Sequence, residues 1–258
     1  MRISLVQTSL IWENPTANRQ MLSAKLAPLK GKTDVVVLPE MFSTGFSMGA
    51  GNLAETVSGP TVEWMRQTAW QLDAVVTGSI MSKDDYGETR YNRLVWMFPD
   101  GTYQVYDKRH LFGLADESKY LTAGQSRLVI EWKGWRICPL ICYDLRFPVW
   151  SRNASADPYD LLIYVANWPS RRGHHWRTLL TARAIENQAY VAGVNIFGTD
   201  GAGLEYTGDS GLVDFFGAQL FQISDREDVV TAELSLEALQ AYRRQLPFLE
   251  DADAFKLI

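Results

Sequence analysis

Short apolar runs of strand length recur along the chain: DVVVLPE (Asp34–Glu40), AVVTGSI (Ala74–Ile80), RLVWMF (Arg93–Phe98), DLLIYVAN (Asp160–Asn167) and YVAGVNIF (Tyr190–Phe197). Each is nearly continuous, the pattern of strands covered on both faces. ISLVQ, from Ile3, reads as a first strand. Between the runs the apolar period lengthens. In GPTVEWMRQTAWQL, Val62, Met65, Ala69 and Leu72 share one helical stripe. NPTANRQMLSAKLAPLK opens with Asn14 placed to cap and Pro15 at the first helical position. HHWRTLLTARAIENQ is a long helical segment ahead of the Tyr190 strand. Two connections read as hairpins, turning at Pro99-Asp100-Gly101 and at Lys133-Gly134. Hairpins inside a β-α alternation imply mixed sheets. With no repeat or linker-like stretch, the pattern predicts one layered α/β domain over residues 1–258.

Composition narrows the function. The chain is 47% hydrophobic and 21% charged, an ordinary globular balance, with a net charge of −5. An acidic chain without a basic cluster argues against nucleic-acid and membrane-surface partners. No apolar run approaches the ~18–20 residues that span a bilayer. Ser4, Gln7 and Thr8 interrupt any signal-peptide core, so a cytoplasmic protein is expected. The only cysteines are Cys138 and Cys142. In an extended segment they stand about 13 Å apart, too far for a disulfide, and Pro139 between them disfavours a helix. The same distance defeats a zinc site built with His174 and His175. Two free thiols, a reducing compartment, and no metal follow.

The stretch RICPLICYDLRFP, Arg136 to Pro148, raises the chemical question. Its strand pattern stops at Cys142, where charge begins, and in open α/β sheets chemistry sits where strands end. A lone cysteine is most often core, and Cys138, inside the strand, fits that description. Cys142 has company. Glu40 closes VVVLPE behind a proline, Lys108 closes TYQVYDK, and Asn167 with Trp168 closes LLIYVANW. Converged on one sheet edge, these groups form an acyl-transfer set. A thiol attacks a carbonyl as thiolate, a carboxylate can take its proton, and an ammonium can hold the resulting oxyanion. Glu40, Lys108 and Cys142 are therefore the expected base, oxyanion holder and nucleophile.

Glu40, Lys108 and Cys142, in that order and setting, resemble the nitrilase superfamily, the carbon–nitrogen hydrolases. LPEMFSTGF is similar to the family's glutamate motif, YDKRHLF to its lysine motif and ICYDLRFP to its nucleophile motif. HHWRTLLTARAIENQAYVAGVN is similar to the helix and strand downstream. The resemblance covers essentially the whole chain. It implies an α-β-β-α sandwich, a homodimer, and no metal or organic cofactor. It assigns a second active-site glutamate to Glu117, in ADESKYLTAG, and a supporting oxyanion donor to the backbone N–H of Tyr143. Phe112, in the lysine motif, and Trp168 are implied to line the substrate. FPVWSRN, YVANWP and ARAIENQAYVAG resemble the bacterial omega-amidases, which hydrolyse the side-chain amide of 2-oxoglutaramate or 2-oxosuccinamate. Val149 departs from the glutamate common at that position.

Deaminated-glutathione amidase, or another small-amide hydrolase of the superfamily, is the alternative. A Cys–His hydrolase using His174 or His175 leaves Glu40 and Lys108 without a task, and a non-enzymatic binding protein needs no such set. The two histidines are expected at a helix start, flanking the pocket. An anionic substrate needs a cationic grip, for which Arg146 ranks first, then Arg171 and Arg172. The C-terminal QLPFLEDADAFKLI carries Leu246, Phe248, Leu249, Phe255, Leu257 and Ile258, apolar enough that it is expected to dock on its own body or on a partner.

Overall fold

The computed structural model describes residues 1–154 and 157–253. In chain order its strands are β1 (Arg2–Gln7), β2 (Val35–Val37), β3 (Val75–Lys83), β4 (Arg90–Met97), β5 (Tyr103–Asp107), β6 (Ile130–Trp132), β7 (Trp135–Ile141), β8 (Leu161–Val165), β9 (Tyr190–Val194), β10 (Phe197–Thr199), β11 (Glu205–Val213), β12 (Gln219–Ser224) and β13 (Asp228–Glu233). The helices are α1 (Pro15–Leu26), α2 (Pro60–Leu72), α3 (Pro148–Ser151), α4 (Gly173–Asn187) and α5 (Leu236–Gln245). One sheet runs β13-β1-β2-β3-β4-β5; the other runs β10-β11-β9-β8-β7-β6, with β12 also paired to β11. Both are mixed: β1-β2-β3 and β7-β8-β9 are parallel, and the hairpins add antiparallel edges.

The continuous apolar strands are explained by what covers each face. In β2, Val35 and Val37 join the core between the sheets, with Ile137, Ile141 and Ile163 from the other side. Val36 points the other way, among Leu22 and Leu26 of α1 and Val62, Met65 and Ala69 of α2. Across the molecule, Trp176, Leu180 and Ala184 of α4 cover the second sheet, so the layers are α-β-β-α. Asn14 caps α1 as expected, its side chain accepting from Ala17 N with Pro15 at the first position. Both hairpins turn where the sequence places them. Lys133 and Gly134 both take positive φ, +49° and +79°, the pairing that matches strand twist in a two-residue loop.

The structure corrects several boundaries. The Asp34–Glu40 run is strand only at Val35–Val37, and Glu40 lies in the turn beyond. The Tyr190–Phe197 run is cut after Val194, and Phe197 opens β10. Strands β11 to β13 and helix α5 were not anticipated. In the C-terminal stretch, Gln188 Nε2 donates to Leu246 O at 2.8 Å, while Phe248 is exposed. Phe255, Leu257 and Ile258 lie outside the described residues. Among the described residues, no helix is long and apolar enough to cross a membrane.

Asp34 fastens the two sheets at one corner. Its Oδ2 accepts from Arg2 N at 2.7 Å, and its Oδ1 meets Lys133 Nζ of the β6–β7 turn at 2.6 Å. Burial alone would raise this carboxyl; the bonds from Arg2 and Lys133 overcome it and bring the pKa down to about 2. A lowered folded-state pKa gives stability that is whole above the ordinary value of 3.8 and drains away as pH falls toward about 2. With Lys133 half exposed, screening leaves the contribution on the order of 1–2 kcal/mol. Asp34→Asn should therefore be less stable than wild type by that amount in urea unfolding at pH 7. The gap should persist to pH 5 and narrow below pH 4. An undiminished gap at pH 3 would contradict the assignment.

Candidate active site

Four strand ends on the two facing sheets deliver the site. Glu40 follows β2 in a turn that crosses over β3. Leu38 N donates to Thr77 O at 2.7 Å, and Met41 N to Ser79 Oγ at 2.9 Å. The crossing is close: a Cβ on Gly78 would stand 2.8 Å from Leu38 Cβ, so glycine is what lets the glutamate loop lie there. Lys108 follows β5, its N–H bonded to Asn92 O at 3.0 Å. Cys142 follows β7 and takes φ +43°, a left-handed kink that breaks the strand and starts a short 3-10 turn, Cys142–Arg146. Tyr143 N therefore lies in a first turn, where backbone donors have no partner within the helix. Asn167 follows β8.

The side chains converge. Lys108, Glu40 and Glu117 are all fully buried. Lys108 Nζ donates to Glu40 Oε1 at 2.9 Å and to both oxygens of Glu117 at 3.1 and 2.9 Å. Asn92 Nδ2 reaches both carboxylates, at 2.8 Å to Glu40 and 3.3 Å to Glu117. Phe112 N donates to Glu117 Oε2 at 2.6 Å. The free oxygen of Glu40 accepts from Asn167 N at 2.8 Å, and Asn167 Nδ2 donates back to Glu40 O at 2.7 Å. Burial works against the Lys108 ammonium, but the charges of Glu117 and Glu40 outweigh it and raise its pKa well above the usual lysine value. The Cys142 thiol is pushed far up, first by burial and then by the Glu40 charge; Lys108 opposes this without prevailing. The thiol thus rests protonated against a carboxylate able to receive the proton.

A cavity of about 200 Å³ opens over Cys142. Lys108, Phe112, Tyr143, Arg146 and Trp168 line it; Glu40 and Glu117 stand behind Lys108, outside the lining. Its rim carries Arg171 and Arg172 as well as Arg146, and among the described residues none of the three pairs with a carboxylate. Arg146 lies over the Trp168 ring at 4.6 Å and Arg172 over the Phe112 ring at 5.5 Å. Desolvation, then the charges of Arg171 and Arg146, lower the Arg172 pKa, as expected where guanidinium groups crowd without counterions. His174 and His175 sit in the first turn of α4, and His175 Nδ1 meets Arg146 Nη2 at 3.2 Å. Neither is hydrogen-bonded to Cys142, as a Cys–His pair would require. Among the described residues no group of three or more His, Cys, Asp or Glu is placed to hold a metal ion.

Sequence reasoning missed Asn92, which spans the two glutamates, and Asp200 with Tyr206, which form the far wall of the cavity. An asparagine inside the apolar strand RYNRLVWM was the available sign of the first.

A carboxylate–ammonium–thiol set at the edge of an α-β-β-α sandwich is the architecture of a carbon–nitrogen hydrolase. The Carbon-nitrogen hydrolase family model matches residues 2–244, and the chain belongs to that family. The chain is 46% identical over 259 residues to Omega-amidase YafV of Escherichia coli (strain K12), covering 100% of this chain and 98% of that protein. It is 32% identical over 252 residues to the 2-oxoglutaramate amidase of Bacillus subtilis (strain 168), covering 96% of each. Among solved structures, XC1258 from Xanthomonas campestris, a CN-hydrolase superfamily protein with an arsenic adduct in its active site, superposes with a TM-score of 0.97. It is 48% identical, covering 100% of this chain and 99% of that one.

The two cysteines should separate under alkylation. Burial, above all, pushes Cys138 up to about 12, and it does not line the cavity over Cys142. Iodoacetamide on the native protein at pH 7 should modify Cys142, read by peptide mass spectrometry, and leave Cys138 untouched until the chain unfolds. Modification of Cys138 first would show that the reactive thiol had been misplaced.

Proposed function

We propose that the protein is an omega-amidase, hydrolysing the terminal amide of a short 2-oxo dicarboxylic acid such as 2-oxoglutaramate. The observation that carries this reading is the cavity's division of labour. Lys108 and the Cys142 thiol line its floor, with Glu40 and Glu117 bonded to Lys108 behind it, and three guanidinium groups that have no acid partner among the described residues line its rim. The floor suits an amide carbonyl. The rim suits a carboxylate at the other end of a short molecule, because an arginine fork can grip both oxygens. The full-length similarity to Omega-amidase YafV supports the same reading.

The geometry supports the following course. Cys142 Sγ attacks the carbonyl carbon as its proton passes to Glu40. The thiol's raised pKa makes transfer during attack the economical course, since no free thiolate need accumulate. The tetrahedral oxyanion is held by Lys108 Nζ and Tyr143 N. Collapse returns the Glu40 proton to the nitrogen, releases ammonia and leaves a thioester. Water, deprotonated by Glu40, then attacks the thioester, and Cys142 leaves with the proton, giving the dicarboxylate. Glu117 keeps Lys108 charged and fixed throughout. One domain performs the cycle, and no cofactor enters it.

The reading extends to a homodimer through the α4–α5 layer. Exposed Ile185 of α4 lies against Gly217, and the neighbouring exposed Phe216 ring meets Tyr242 of α5 at 6.0 Å. Such a contiguous apolar face suits a second copy. Light scattering at micromolar concentration should return a dimer, and a monomer would count against it.

Ammonia release from a small panel tests the substrate: 2-oxoglutaramate, 2-oxosuccinamate, glutamine, butyramide, deaminated glutathione and a nitrile. The 2-oxo acid amides should be fastest. Arg172→Met should raise KM for 2-oxoglutaramate about 10- to 100-fold, the loss of roughly 1.4–3 kcal/mol of charge-assisted binding, with little change for butyramide. Lys108→Met should lower turnover of both by about 10²–10³. Faster turnover of deaminated glutathione would move the protein to the other amidase branch, and reaction of the nitrile alone would end the amidase reading.

A further inference from the structure

Asp144 is fully buried two residues beyond Cys142, does not line the cavity, and has no part in the mechanism above. Four donors converge on its two carboxylate oxygens. Oδ2 accepts from Ile141 N at 3.1 Å and from the Tyr106 hydroxyl at 2.7 Å. Oδ1 accepts from His110 N at 3.0 Å and lies 2.8 Å from His110 Nδ1. An oxygen that already accepts a backbone N–H and lies against a ring nitrogen requires that nitrogen to carry the hydrogen. The donors come from two places only. Ile141 immediately precedes the nucleophile. Tyr106 and His110 lie two residues either side of Lys108.

We propose that Asp144 is a positioning residue that sets the distance between the Lys108 amine and the Cys142 thiol, and that Tyr106 and His110 are its contacts on the lysine side. This rests on the roles given above to Cys142 and Lys108. Lys108 and Cys142 belong to different sheets, so neither β-ladder fixes one against the other. Glu40 is tied to Lys108 directly and reaches the second sheet at Asn167, after β8, one strand away from the nucleophile. Asp144 is a buried side chain that joins β5 and the loop after it to the end of β7 through one carboxylate: Oδ2 takes Tyr106 and Ile141 together, and Oδ1 takes His110. The clasp is itself braced. Tyr106 Oη accepts from Trp150 Nε1 at 2.9 Å, and the His110 ring stacks on Phe147 at 3.7 Å, 8° from parallel. Both braces come from the segment that follows the nucleophile. Arg183 of α4 holds that segment from below, donating to Leu145 O at 2.6 Å.

Asp144→Asn discriminates sharply because asparagine offers one oxygen and one NH₂ in place of two oxygens. Whichever way it sits, an N–H donor faces a backbone N–H that cannot reverse, at Ile141 or at His110. One half of the clasp opens with little change in volume. Turnover of 2-oxoglutaramate should fall about 10- to 100-fold, the scale of a misplacement near 1 Å, while KM stays within about twofold because the cavity lining is intact. The alkylation rate of Cys142 by iodoacetamide should fall with turnover, since it reads the thiol and its base without any substrate. Both are measured well below the unfolding midpoint, which is followed separately. Tyr106→Phe removes one donor and keeps both backbone bonds, so it should show the same kcat-only pattern at smaller amplitude. It supplies the answer if Asp144→Asn does not fold. Folded variants with kcat and alkylation within twofold of wild type would overturn the proposal, as would a rise in KM with kcat unchanged. If wild-type protein failed to release ammonia from the 2-oxo acid amide, the proposed substrate would fall, and the alkylation rates would still judge Asp144.

Discussion

The structure depends on a single buried ammonium. Lys108 has no solvent contact, and its charge is met by two carboxylates that are equally dry. Ions removed from water are costly to hold, and truncating one member of such a set typically costs about 3–5 kcal/mol, because the others are left uncompensated. Here the compensation is complete on the lysine side and excessive on the acid side: two carboxylates face one amine. Burial first, and then this excess, keep the thiol protonated, since a thiolate would be a dry negative charge beside Glu40. The set is thus assembled before any substrate arrives.

The rest of the fold can be understood as what keeps those ions in register. The parallel β1-β2-β3 ladder ends near Glu40, the β4-β5 hairpin ends at Lys108, and the parallel β7-β8-β9 ladder supplies Cys142 and Asn167. Asn92, Asn167 and the Phe112 N–H occupy the carboxylate positions that Lys108 leaves open. Polar groups buried this deeply are tolerable only when such partners are supplied.

Much of this was legible in the sequence, for a physical reason. A strand buried on both faces must be apolar throughout, so a charged residue at its end is conspicuous. Glu40, Lys108 and Cys142 all announced themselves that way, and the four-motif resemblance added Glu117. The elements that escaped are those whose partners are distant. Strand β13 pairs with β1 across more than two hundred residues, and it reads as DVVTAE, half-exposed and ambiguous until that partner is known. QLFQIS of β12 is likewise an edge strand with mixed faces. Helix α5 did carry a readable sign, Ser235 capping Ala238 N, but only Leu239 on it is buried, so its apolar stripe is thin. Asn92 left one faint sign, an amide inside a strand, and Asp144 left none, because a buried polar residue declares itself mainly through the groups it satisfies, and these lie far along the chain in turns and loops as well as strands.

The left-handed kink at Cys142 divides the site's parts by how their spacing is maintained. The same backbone turn that lifts Sγ out of the strand also presents the next N–H, so the sulfur and the proposed oxyanion donor are joined by a few covalent bonds. Their separation is set by bond lengths and angles and is insensitive to thermal breathing of the sheets. The amine and the carboxylate reach the same point from another sheet, and their spacing to the sulfur is kept by hydrogen bonds and packing across the layers instead of by covalent geometry. The nucleophile and its donor thus behave as a rigid tool, and the acid and amine as an adjustable vice around it. In an assembly of this kind, loosened core packing would detune proton transfer long before it disturbed the attacking angle.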